Sequence, residues 1–255
     1  MAKGGRGPAA HRGATPAEPS FRLQSKEMMT KTPDIGLLGE TFIAPTGKNL
    51  PSIFHAPGAL LRMRWIQLKS SLRDYFSLLI LKITSPQGKR WYNRFVKLHR
   101  SRVVPTAIAL HREMYGAFAA GDATTLRRIC TDGIYDQFRA RMAARPRGEK
   151  TVWELVKYNK RARIVSHRAA RLPIDGAAVR QAVVRLSSRQ KLSRYAADGR
   201  LVKGTGKERD VVEYLVVEKS YWNWQEGDWR VWGTTEETKL ETVLQWQKDA
   251  LDAGN

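Results

Sequence analysis

From Leu61 onward, apolar positions recur at steps of three and four: Leu61, Trp65, Leu68, Leu72, Phe76, Leu79 and Ile83. That spacing predicts an amphipathic helix over residues 59–83, with Arg62, Arg64, Lys69, Arg73 and Lys82 flanking the stripe. Ser85-Pro86-Gln87-Gly88 ends it, and a second basic stretch follows from Lys89 to Arg102, with Trp91, Phe95 and Val96 as its apolar members. Pro105 opens the next helix, through Ala107, Leu110, Met114, Ala117 and Phe118. Gly121 closes it, because glycine suits the left-handed residue after a helix end. Asp122 is placed to cap a helix carrying Leu126, Ile129 and Cys130, and a further turn runs through Ile134, Phe138 and Met142.

Beyond Trp153–Tyr158 the period changes to two. Strands are predicted at 163–172, 178–192, 211–218 and 229–235, separated by Pro173-Ile174-Asp175-Gly176, by a loop from Ala197 to Lys207, and by Gln225-Glu226-Gly227-Asp228. Leu240, Val243, Leu244, Trp246 and Leu251 give a last short helix over 239–251. Helices, then strands, then one helix make an α+β chain, with helices packed on one face of a curved antiparallel sheet.

No such pattern precedes the first helix. Residues 1–33 form a tail rich in Gly, Ala, Pro and Ser, with six Lys or Arg against Glu18 and Glu27, which fits an organelle transit peptide or a retained arm. From Pro33 to Pro57, isolated apolar residues (Ile35, Leu37, Leu38, Phe42, Ile43, Ile53, Phe54) among prolines and glycines predict an extended segment laid on another surface. The chain thus divides into an extended tail at 1–58, a basic helical arm at 59–102 and an α+β domain at 103–255.

Charge sharpens this division. There are 45 Lys plus Arg against 24 Asp plus Glu, a net charge of +21. Residues 59–102 hold 11 basic side chains and one acid, residues 161–207 hold 12 and 2, and residues 208–255 hold 5 and 11. Blocks of one sign point to a polyanionic partner. The expected phosphate contacts are Arg62, Arg64, Lys69, Arg73, Lys89, Arg90, Arg94, Lys97, Arg100 and Arg102 on the arm, and Arg180, Arg185 and Arg189 on the strand face. The acidic segment is then expected to face away from RNA. In the arm, Trp65, Trp91, Tyr92 and Phe95 interleave with arginines, which suits RNA or an anionic lipid surface. Trp65, Leu68 and Leu72 are the candidate membrane-facing residues. Packing is nevertheless expected to cover most of the stripe, since fully burying five or six such side chains is worth about 10 kcal/mol in gross transfer energy.

The sequence offers little chemistry. Cys130 is the single cysteine, which excludes an internal disulfide framework and a multi-thiolate zinc site, and points to a reducing compartment. His11, His55, His99, His111 and His167 show no paired ligand spacing, so no metal or cofactor is expected. Gly199 to Gly204 has the glycine spacing of a phosphate-binding loop, but Thr205 stands where lysine is needed. His167, with Asp175 or Asp136 beside it, is the one acid/base candidate, a structural histidine being the alternative. Trp222, Trp224, Trp229, Trp232 and Trp246 lie in the acidic segment and are expected in the core.

The run Leu110-His111-Arg112-Glu113-Met114-Tyr115-Gly116-Ala117-Phe118-Ala119-Ala120-Gly121-Asp122 and Leu126-Arg127-Arg128-Ile129-Cys130 resemble a known module. So do Ile164-Val165-Ser166-His167-Arg168, Ala182 to Gln190 and Asp228-Trp229-Arg230-Val231-Trp232-Gly233. The module is the C-terminal domain of subunit 44 of the mitochondrial inner-membrane translocase, shared with mitochondrial large-ribosomal-subunit proteins and the inner-membrane receptor for mitochondrial ribosomes. The resemblance spans about residues 100–250. It implies a cone-like, nuclear-transport-factor-like fold without catalytic activity, on the matrix side of the inner membrane. Residues 1–58 are too short and too poor in mixed charge for the translocase branch, while Pro45-Thr46-Gly47-Lys48-Asn49, Pro51-Ser52-Ile53-Phe54 and the basic helix resemble ribosome-bound members. The partners so implied are mitochondrial rRNA, large-subunit proteins and, peripherally, the membrane surface and insertion machinery, with no small-molecule substrate. A membrane receptor, a translocase subunit and an acid/base enzyme remain as alternatives.

Overall fold

A run of strand residues buried on both sides, 178–184, sets the architecture. A computed structural model of the protein describes residues 35–50, 54, 56–85, 93–239, 241–243 and 245–246. The tail at 1–33, Pro51 to Ile53, Lys89, Arg90, Trp91, Tyr92 and the end of the last helix lie outside them. Four helices, α1 (Pro57–Ile83), α2 (Arg100–Ala120), α3 (Ala123–Ile129) and α4 (Asp132–Ala143), precede four strands. The strands β1 (Lys150–Arg171), β2 (Ala178–Tyr195), β3 (Glu208–Trp222) and β4 (Gln225–Thr235) form one antiparallel meander in the order β1-β2-β3-β4. The α+β class is as the periodicity predicts.

On the inner face of the sheet, Ala182, Val184, Leu186, Leu215, Val217 and Val231 pack against Val103, Ala107, Leu110 and Met114 of α2, Leu126 and Ile129 of α3 and Phe138 of α4. The outer face is covered by a strap, residues 35–46, whose Ile43 and Leu37 pack on Val183, Tyr214 and Val216. The strap has no regular structure, so its backbone is satisfied by the sheet and its flanks. The Leu38 amide donates to Gln181 Oε1 at 2.9 Å, and the Ile43 amide to Thr238 Oγ1 at 2.9 Å. The Thr46 amide donates to Glu237 at 2.9 Å. This is the extended segment expected from the sequence, for the residues described.

Several boundaries move. Helix α2 begins at Arg100, so Pro105 lies inside its second turn and removes one intrahelical bond rather than opening the helix. Gly121 at φ 76° and the Asp122 cap, which accepts from the Thr125 amide at 3.0 Å, fall where expected. Strand β1 starts at Lys150, not at Arg163. Four register shifts between Leu155 and Ser166 break its alternation, and bulges hide a strand from period-two counting. Between α1 and α2, the described residues 93–99 form no helix, so the basic arm is one helix and an extended return. Residues 241–243 and 245–246 are helical, and Val243 packs with Phe42 and Met63. The five tryptophans are half-buried, Trp229 against the inner core and Trp232 against the outer one.

Candidate interaction surfaces

Helix α1 lies along the free edge of β1. Asp74 Oδ2 accepts from the Ser166 hydroxyl at 2.7 Å and the His167 amide at 3.2 Å, and Ser77 Oγ accepts from the Ala169 amide at 3.1 Å. Arg168 Nε lies 3.0 Å from Asp74 Oδ1 as an ion pair. These acceptors satisfy amides that an edge strand otherwise leaves open. At the opposite edge, the Thr131 amide donates to the Val231 carbonyl at 2.9 Å and Cys130 bridges Val231, which covers β4.

This docking decides which side of α1 faces inward. Met63, Asp74, Leu78 and Leu81 are buried, with Ser70 and Ser77 beside them. Leu72 is two residues, about 200° of helix rotation, from both Ser70 and Asp74. The apolar stripe therefore points away from the domain: Trp65 is 67% exposed and Leu72 51%, and Leu61, Leu68, Phe76 and Ile83 are also exposed. The expectation that packing covers most of the stripe is overturned. A sheet edge needs hydrogen-bond acceptors, and only the polar side of α1 provides them. Arg62, Arg64, Lys69, Arg73 and Lys82 are exposed on the shoulders of the stripe, with Arg64 donating to Gln67 at 3.0 Å and Arg73 paired with Glu40.

The remaining predicted cations separate into two kinds. Lys97, Arg100 and Arg102 are exposed and Arg94 is half-buried, whereas Lys89 and Arg90 lie outside the described residues. Arg180 is different. It is 2% exposed and donates to His167 Nε2 at 2.7 Å, the Leu98 carbonyl at 2.5 Å and the Tyr221 hydroxyl at 3.4 Å. Its charge is spent inside the fold, so it presents no guanidinium to an outside phosphate. Arg185 donates to the Tyr214 hydroxyl at 3.3 Å, and Arg189 forms a bidentate pair with Asp210 at 2.9 and 3.0 Å.

His167 is 3% exposed, and burial, then the Arg180 and Arg100 charges, push its pKa down to about 3. It accepts from an arginine instead of pairing with a carboxylate. Asp136 and Asp175 are exposed elsewhere, so the expected dyad does not assemble. Sequence reasoning missed a different buried network. Glu213 accepts from Tyr115 through one oxygen, and its other oxygen lies 3.0 Å from His111 Nε2 and accepts from Gln190 at 2.7 Å. Burial raises the Glu213 pKa, but the hydrogen bonds from His111 and Tyr115 bring it below its ordinary value. The signal was an acid inside the apolar run Val211-Val212-Glu213-Tyr214-Leu215. Tyr115 and Gln190 also line a cavity of about 280 Å3 with Phe118, Trp153 and Leu192. Both oxygens of the Glu213 carboxylate are engaged, so the network serves as a clamp between α2 and the sheet. Cys130 is buried, which pushes its thiol up to about 12 and holds it unreactive. Among the described residues no group of three or more His, Cys, Asp or Glu is placed to hold a metal.

The domain thus has two covered sheet edges, a clamped core and an outward apolar helix, and comparison with known proteins adds its lineage. A family model described as MBA1-like protein matches residues 24–252, nearly the whole chain. The chain belongs to the MBA1-like family. The match includes α1 and the strap as well as the α+β domain, so the arm is part of what the family shares. The chain is also similar to the large ribosomal subunit protein mL45 of Xenopus tropicalis, 28% identical over 130 residues. That match covers 48% of this chain and 40% of the frog protein, so the chain aligns with less than half of that relative's length.

Proposed function

We propose that this chain is a non-catalytic component of the mitochondrial large ribosomal subunit, binding rRNA and docking peripherally on the matrix side of the inner membrane. Family membership and the likeness to a large-subunit protein support the ribosomal part. The observation that carries the membrane part is the outward stripe of α1, apolar along its centre and basic on its shoulders. A helix of that form lies in the plane of an anionic interface, its apolar side chains in the acyl boundary and its cations among the headgroups. Among the described residues no helix is long and apolar enough to cross a membrane. A looser ribosome receptor uses the same two surfaces and differs in how firmly it holds the subunit.

Flotation of the full chain with cardiolipin-containing liposomes tests the membrane part. The wild-type chain is expected to float at high salt, and Leu68→Glu with Leu72→Glu to stay at the bottom. Equal flotation of both would reject α1 as the anchor. Sedimentation of the tagged chain from high-salt mitochondrial lysate separates permanent subunit, which stays with the large particle, from receptor, which leaves it.

A further inference from the structure

Beyond the strap, the outer face of the sheet is basic. In the pairing of β1 with β2, Lys157 stands opposite Arg189, Lys160 opposite Ser187 and Arg163 opposite Arg185. On β2, Arg185, Ser187 and Arg189 alternate with Val184, Leu186 and Ser188, and Val184 and Leu186 belong to the inner core. Alternation therefore puts Lys157, Lys160, Arg163, Arg185 and Arg189 on one face. Across from them on β3 stand Tyr214, Val212 and Asp210. Asp210 holds Arg189 and the Asn159 amide, the latter at 2.9 Å. Glu237, beyond Tyr214, is occupied by Thr46, Asn49 and the Tyr214 hydroxyl. At the far end Lys191 pairs with Glu154 at 3.3 Å, and Glu208 stands opposite Lys191. Between these, Lys160, Arg163 and Arg185 have no ion pair with a carboxylate among the described residues.

Directly opposed residues on neighbouring antiparallel strands have Cβ atoms about 4.5–5.5 Å apart, and like charges so placed repel. Arg163 and Arg185 are such a pair, with no internal carboxylate between them. We infer that this face binds the phosphodiester backbone of RNA, with Arg163 and Arg185 flanking one phosphate and Lys157, Lys160 and Arg189 adjoining it. The inference rests on the ribosomal reading and deepens it by naming the RNA-facing surface. Guanidinium forks match phosphate oxygens, and a row of cations along a sheet follows a backbone without reading its sequence. RNA is favoured over lipid because the patch carries charge without an apolar anchor, Val212 being its one exposed large apolar side chain, whereas α1 carries both.

The test uses the full chain and a fluorescent RNA hairpin titrated over a range of salt. Arg163→Gln with Arg185→Gln is compared with Lys203→Gln and Lys207→Gln, a control with equal charge loss in the exposed β2–β3 loop. The patch variant is expected to lower the slope of log affinity against log salt by about 0.7–0.9, the counterion release of the one phosphate that Arg163 and Arg185 flank. The loop control is expected to keep the wild-type slope. Thermal unfolding of the patch variant is expected to stay level or rise, since an internal repulsion is removed. An unchanged slope, an equal fall in the loop control, or loss of anionic-vesicle binding with RNA binding intact would each overturn the inference. Co-sedimentation of the wild-type chain with the large subunit separates the two ideas. A chain that co-sediments while the patch variant keeps its slope defeats the RNA face alone. A chain absent from the subunit whose patch variant still loses slope defeats the ribosomal placement and supports the RNA face.

Discussion

Burial gives single side chains opposite signs of pH dependence here. His167 is held neutral, its pKa about 3 in the fold, while an unfolded histidine titrates near about 6.5. The unfolded state therefore takes up the proton first, and the stability His167 contributes above about pH 6.5 is lost as pH falls toward 3. Glu213 adds to the acid loss: its depressed pKa contributes stability above the ordinary carboxylate range, which disappears as pH falls through the folded value. Asp74 runs the other way, because burial outweighs the Ser166 and His167 bonds and raises its pKa, so protonation favours the fold. Chemical denaturation across this pH range is expected to show falling stability below about pH 6.5, flattened in His167→Gln, which keeps an acceptor for Arg180. At neutral pH, Glu213→Ala is expected to cost about 3 kcal/mol, since it strands the buried His111 and the half-buried Tyr115 and Gln190 groups. The sequence singled out His167 but offered Asp175 or Asp136, not Arg180, as its neighbour. Which residue stands beside it follows from the β1–β2 register, which places Arg180 two positions from Ala182, the partner of His167, on the same face.

At the scale of elements, the helices were legible because their apolar positions keep one period, and α1 was found to within two residues at its start and to the residue at its end. Its orientation was not legible. A periodicity count finds the apolar side of α1, but the side turned inward is chosen by the β1 edge, whose amides need Asp74 and Ser77. Asp74→Ala is expected to destabilise the protein by about 1–3 kcal/mol, leaving the His167 amide and Ser166 hydroxyl buried without acceptors. Hydrogen exchange is the discriminating measurement. Protection is expected to fall over α1 while β2 and β3, the central strands of the sheet, keep theirs; uniform loss would mean that the docking of α1 holds the whole sheet. The strap makes a companion case. Ile43, 1% exposed, lies in a segment without regular structure, yet Ile43→Ala is expected to cost about 2–5 kcal/mol by denaturant titration, as a core truncation does.

Over the whole molecule, segment sums of charge separate the acidic block from the basic ones, but not the acids held within the fold from those facing outward. Glu213, Glu218 and Glu226 bind Tyr115, Gln181 and Lys219, Asp210 holds Arg189, and Glu237 holds the strap. Much of the acidic block is internal counter-charge, which a count along the chain cannot distinguish from an exposed face. What is left outside is a basic sheet face and an apolar helix with basic shoulders, and these two surfaces answer differently to salt. Four phosphates held by the five cations give a slope of about three, so a fourfold rise in salt lowers RNA affinity by about two orders of magnitude. Six apolar side chains entering an interface contribute on the order of 5 kcal/mol or more in gross transfer energy, which salt leaves in place. The two attachments are therefore expected to part. A salt wash of the purified chain bound to both an RNA hairpin and cardiolipin-containing liposomes is expected to release the RNA but leave the chain with the lipid, and Leu68→Glu with Leu72→Glu to move it to the supernatant. Release of the wild-type chain from lipid and RNA at the same salt would mean that charge alone holds both.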